Sequence, residues 1–144
     1  MSTDPVLALT KMVAERLLAS PDFTDLCPPE RFVDSYTKPD AGPLVQIGNG
    51  DWTPPDHNET WHHKVFLDLD VWTRGEDNAV LCRQITGAIA RTLSGATWAP
   101  WRGDGWIVHG LGVSVTSDRD TSEPALSHAT VVLDAIMQEV ATNA

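Results

Sequence analysis

The chain has 144 residues, 42% of them hydrophobic, and 20 acidic residues against ten lysines and arginines give a formal charge of −10. One domain spanning 1–144 is the expectation for that length, and a chain this long can bury a core without disulfide staples. The acidity, with a pI of about 4.6, excludes a basic footprint for nucleic acid and makes a poor docking face for anionic lipid.

MSTDPVLALTK at the N-terminus lacks the basic region and cleavable apolar core of a secretion signal. No apolar run approaches the roughly 18 residues of a membrane span. Asp4-Pro5 predicts a helix start, with Asp4 as cap and Pro5 in the first turn. Val6, Leu9, Val13 and Leu17 then form one apolar stripe, and Ser20-Pro21 ends it. Residues 21–43 are rich in proline and aspartate and hold at most one short strand, near Arg31 to Ser35. PLVQIGNG (43–50) reads as a strand, and DWTPPDHNE (51–59) as a polar loop stiffened by Pro54 and Pro55.

From 59 to 74 the pattern alternates. Trp61, Val65, Leu67, Leu69 and Val71 share one parity; His62, Lys64, Asp68 and Asp70 share the other, with Phe66 and Trp72. Such a strand has one face on a core and one in a wetter place. RGEDN breaks it, and Asp77 or Asn78 caps a helix striped by Leu81, Ile85, Ala88, Ile89 and Thr92 and stopped at Gly95. TWAPWRGDGW (97–106) reads as a Trp-rich loop. Ile107, Leu111, Val113 and Val115 mark a further strand, with Gly110 and Gly112 on its other side. SDRDTSEP is a turn. In the tail, Ala129, Val131, Leu133, Ala135 and Met137 alternate as a strand, while Val132, Ala135, Ile136 and Val140 would suit a helix; the strand is preferred, because after an eight-residue turn it closes a hairpin with the strand before it. The expected fold is α+β: an antiparallel or mixed sheet of about four to five strands with two helices packed on one face.

The chemistry-bearing residues do not converge. His62 and His63 are neighbours on a strand and point to opposite faces. His62 stands six residues from Asp68, about 20 Å along a strand. Asp68 and Asp70 share a face but read as a solvated acidic surface, not a metal site. There is no H-E-x-x-H, P-loop, G-x-G-x-x-G or G-x-S-x-G. Cys27 and Cys82 lie outside any C-x-x-C pair and read as reduced thiols. No catalytic, cofactor-binding or metal-binding residue is assigned, and no cofactor is expected. The six tryptophans leave a second reading open, a monomeric carbohydrate- or ligand-binding domain in which Trp52 and the tryptophans of 98–106 stack on a ligand.

Leu44–Gly50 followed by Val65–Leu93, within VQIGNGDWTPPD, VFLDLDVWTRG and AVLCRQITGAIARTL, resembles the tail completion, or tail terminator, proteins of long-tailed phages and gene transfer agents. The resemblance runs from about Val6 to Gln138; the Trp-rich stretch 97–106 and the prolines of 51–59 depart from it. It implies a ring, usually a homohexamer, at the head-proximal end of a tail tube. Such a ring stops tube polymerisation and joins the tail to a head connector or stopper protein. Double-stranded DNA passes through the lumen without sequence recognition, and no chemistry is needed. The implied location is a virion or phage-like particle, assembled from protein made in the bacterial cytoplasm. Asp68 and Asp70 are the candidate acidic lumen face, across which DNA would slide without sticking. Trp52, Pro54 and Pro55, at the centre of the Asn49–Glu59 loop, are the candidate subunit interface.

Overall fold

The alternation through Val65, Leu67, Leu69 and Val71 does what its period demands: all four are buried, in a 12-residue strand β3 (His63–Arg74). The computed structural model describes residues 4–33, 42–56, 61–75, 78–94, 100–118 and 126–140. β6 (Leu126–Glu139) lies antiparallel to β3, with Leu133 opposite Leu67 and Val131 opposite Leu69. β2 (Gly42–Thr53) flanks β3 on its other side, and β5 (Trp106–Asp118) flanks β6. Two short strands finish the edges. β1 (Phe32–Val33) runs parallel to β2, and β4 (Trp101–Gly103) runs antiparallel to β5. The order is β1-β2-β3-β6-β5-β4.

The sheet is therefore mixed and six-stranded, not four- to five-stranded. The added strand, β4, lies in the stretch expected to be a loop. Asp104 (φ 51°) and Gly105 (φ 86°) both take positive φ, as a two-residue turn with the right twist for a hairpin requires. That turn folds Trp101 and Trp106 back into the core, where they are 3% and 2% exposed. A register shift between Val108 and Gly110 reverses the parity of β5. Trp106 and Val108 thus share the buried side with Leu111, and Ile107 does not.

Helix α1 (Pro5–Leu18) starts as its sequence dictates. The Asp4 carboxylate accepts hydrogen bonds from the amides of Val6 (2.9 Å) and Leu7 (3.2 Å). Pro21 ends α1, but a proline is equally at home in a first turn. It opens the short helix α2 (Pro21–Thr24), a third helix beyond the two expected, and α2 buries Phe23 completely. α3 (Asn78–Leu93) presents Cys82, Ile85, Ala88, Ile89 and Leu93. These residues join Leu9, Met12, Val13 and Leu17 of α1 and the inward residues of β3 and β6 in one cluster. Both long helices thus cover the same face. Leu81 and Thr92 of the expected stripe are only half-buried. The expected cap Asp77, the stop at Gly95, the strand start at 59–60 and most of the 117–124 turn lie outside the described residues.

Gly50 decides how closely α1 approaches the sheet. A Cβ there would stand 2.4 Å from Cγ1 of Val6, a separation no real contact tolerates. Gly50→Ala should displace the start of α1 and cost about 1–3 kcal/mol, the usual range for overpacking, read as a lowered midpoint in urea unfolding. Leu67→Asp places an unpaired charge in the centre of the core and should cost at least about 3 kcal/mol. A soluble Leu67→Asp protein that still melts cooperatively would overturn this account of β3.

Candidate functional site

Among the described residues no long helix packs on the face of the sheet opposite α1 and α3, although Leu44, Gln46, Trp72 and Leu126 at one end of it are buried. Its side chains follow from parity and register: Lys64, Phe66, Asp68, Asp70 and Trp72 from β3, opposite Thr53, Asp51 and Gln46 of β2 and Ile136, Asp134, Thr130 and His128 of β6. The expected acidic pair Asp68 and Asp70 does lie here, and the register adds two carboxylates from distant parts of the chain, Asp51 and Asp134. Burial pushes the Asp68 carboxyl above its ordinary pKa of 3.8, and the negative charges of Asp70 and Asp51 push it further.

Asp70 is not a bare carboxylate. It accepts hydrogen bonds from Nε2 of His128 (2.8 Å) and from the Thr130 hydroxyl (3.3 Å). Trp72 stacks on the His128 ring at 4.0 Å and donates its indole N–H to Oε1 of the buried Gln46 (3.1 Å). Leu44, Trp72 and Leu126 form a second, small apolar cluster on this side. One end of the uncovered face is thus a satisfied polar–aromatic network. The other end carries Phe66 and Ile136, 38% and 40% exposed.

The tryptophans divide differently from expectation. Trp52 is not at the centre of a loop. Asn49 to Thr53 belong to β2, and the connecting loop begins at Pro54. Trp52 is opposite Val65, stacks on His63, and donates its indole N–H to Nδ1 of that ring (3.1 Å). It remains 43% exposed. His63 also meets Trp106 edge-on at 4.7 Å. Burial lowers the His63 pKa, partly offset by Glu139. Trp61, expected in the core, is 37% exposed and packs on His62 and His109. The adjacent histidines thus meet different partners, as strand geometry requires. Pro54 is exposed and Pro55 half-buried. With Thr53, Asp56, His62 and Lys64 they line an open cleft of about 480 Å³.

A sugar-stacking platform loses two of its four members here, because Trp101 and Trp106 are buried; Trp98 lies outside the described residues. Burial pushes the Cys27 thiol up to about 11 and raises that of Cys82, which makes both poor nucleophiles. Among the described residues no three His, Cys, Asp or Glu side chains are grouped to hold a metal ion. No helix among them is long and apolar enough to cross a membrane. What the surface offers is contact area: a sheet face with carboxylates, and an aromatic, proline-bordered end.

Comparison with curated proteins returns no match. A chain in the structure titled "Virion of native gene transfer agent (GTA) particle" is similar in fold, with a TM-score of 0.73, 20% identity, and 94% of this chain and 99% of that chain covered. At that identity the likeness carries the fold alone. Residues 11–138 match the family described as tail completion protein gp17. That match spans nearly all of the sheet, the whole of α3 and the C-terminal half of α1, so the chain belongs to the tail completion protein gp17 family and is a structural component of a phage-type tail.

Proposed function

We propose that the protein forms a ring, a homohexamer on the resemblance, at the head-proximal end of a phage-type tail tube, and that residues 1–144 act there as one tail-terminator-like domain. The ring ends tube polymerisation, meets the head connector or stopper protein, and lets double-stranded DNA through its lumen. It carries no catalytic activity in this reading. The observation that carries the proposal is the carboxylate-bearing face of the sheet, opposite the side on which both long helices pack. Family membership, and a fold shared with a chain of a gene transfer agent virion, support it. Asp68 and Asp70, joined by Asp51, form the lumen side. Their charge repels the DNA backbone and denies it counterion-releasing contacts.

The Asp68 carboxylate works against the isolated fold. A carboxyl whose folded pKa is raised holds its proton to higher pH in the native state than in the unfolded chain. Below its ordinary value of 3.8 both states are protonated and nothing is lost. As pH rises through the folded value the native state is penalised, and the penalty is complete above it. A face kept acidic at this expense suits a requirement imposed by a passing polyanion.

Two outcomes follow. Asp68→Asn should raise the melting temperature at pH 7, with the gain disappearing below about pH 4 as the wild-type carboxylate protonates. A gain that persisted at pH 3 would place its cause elsewhere. Trp52, with Pro54 and Pro55, is assigned to the contact with a neighbouring subunit. Trp52→Ala removes the His63 contact and cross-strand packing beside Val65, and should lower the monomer's melting by no more than a few degrees, since the side chain is already 43% exposed. Assembly on purified tail tubes should weaken by about 2 kcal/mol per contact, seen as unterminated, overlong tails in electron micrographs. Normal assembly by this variant would remove Trp52 from the interface, and tails of normal length without the protein would refute the terminator role itself.

A further inference from the structure

The sheet has two long edges that its own short strands do not close. β4 pairs with β5 only over Trp106 to Val108. From Gly110 to Asp118 the one strand pairing with β5 among the described residues is β6. β1 pairs with β2 only at Val45 and Gln46. From Ile47 to Thr53 the one strand pairing with β2 among them is β3. The two open stretches lie at the same height. Thr53 is in register, through Lys64 and Ile136, with Gly110; Ile47 is in register, through Leu69 and Val131, with Val115.

Soluble proteins blunt long edges with proline, lysine, inward charge or a β-bulge; here each edge strand has one register shift, at Ile47–Gly50 and at Val108–Gly110, and the residues beyond each shift pair regularly again. Ile47–Thr53 contains one charged residue, Asp51, and Gly110–Asp118 contains one, Asp118 at its end; neither has a proline or a lysine. β5 instead carries Gly110, where an added Cβ would meet nothing within 4 Å, and Gly112. A glycine in a strand marks a bulge, as at the Val108–Gly110 shift, or a place where another backbone can come close, as the open space at Gly110 permits.

We infer that the open edge of β2 in one copy adds to the open edge of β5 in the next, so that the sheet runs on from subunit to subunit. The inference deepens the ring reading and rests on it; it supplies the surface that receives the Trp52 side of the neighbour. Strand direction selects a second copy as the occupant. β2 and β5 run in opposite directions within one chain, and rotation about a ring axis preserves each direction along that axis. The junction is therefore antiparallel, like every long pair in the sheet. The two edges differ, so the contact is head-to-tail: it does not stop at a dimer, and with the rotation of a ring it closes.

Disulfide trapping tests the junction. Thr53→Cys is combined in turn with Gly110→Cys, Gly112→Cys and Ser114→Cys, all on the uncovered face. Within one chain β3 and β6 separate these positions by roughly 14 Å, about twice the Cα separation a disulfide spans, and the native Cys27 and Cys82 are buried. The full-length variants are assembled on purified tail tubes, oxidised and run on denaturing gels, with wild-type rings counted on the same tubes by electron microscopy. The expected result is a ladder of linked multimers beyond the dimer from at least one pair, absent from the single-cysteine controls and collapsed by reductant. A double variant that melts normally yet forms no ring also supports the junction. Variant rings without a ladder overturn the edge junction and leave the ring standing. A ladder that stops at two overturns head-to-tail closure, and tubes on which the wild type forms no rings overturn both readings.

Discussion

The structure depends on the pairing of β3 with β6 along one buried row. Val65, Leu67, Leu69 and Val71 stand opposite Ala135, Leu133, Val131 and Ala129, and all eight are buried. A one-residue slip would turn every one of these side chains to the other face, so the register is held by the whole row. α1 and α3 then have one place to bury their stripes. Burying each large aliphatic side chain contributes on the order of 1.5–3 kcal/mol, and most of that contribution gathers on this side of the sheet.

The uncovered face is a consequence of that arrangement. Two long helices pack on one side, and among the described residues no further long helix lies on the other. Its polar groups are instead satisfied across strands: Gln46 by Trp72, and Asp70 by His128 and Thr130. Among the described residues no buried side-chain nitrogen or oxygen lacks a partner. The face is thus stable enough to exist in the free chain and polar enough to stay in water. Phe66 and Ile136 sit at the end farthest from Trp72, on the same rows as Gly112 and Gly110. An exposed apolar pair beside bare backbone is tolerable on a monomer and useful at a junction between copies.

The aromatic end shows how local chemistry and assembly share residues. His63 is fixed between buried Trp106 and exposed Trp52. By accepting the Trp52 indole N–H at Nδ1, the neutral ring orients a side chain that still presents much of its surface. A pre-oriented aromatic loses little freedom on docking, and the neighbouring Pro54 and Pro55 restrict the loop for the same reason.

Much of this was legible in the chain. The two-residue period of β3 and β6, the stripes of α1 and α3, the Asp4 cap and the shared face of Asp68 and Asp70 all rest on spacings of a few residues, which local geometry converts directly into direction. The Asp104-Gly105 turn was also written there, as a hairpin signal between Trp101 and Trp106, and reading it would have moved both tryptophans into the core. Other features had no local signature. His128 reaches Asp70, and Asp51 reaches Asp68, only because β6 and β2 both align on β3. The exposure of Trp61, the close seat of Val6 on Gly50 and the parity reversal at His109 likewise depend on neighbours far away in the chain. Sequence spacing determined which side chains share a face. Strand order and register, set by how the whole apolar row could be buried at once, decided which face stayed bare and which edges stayed open.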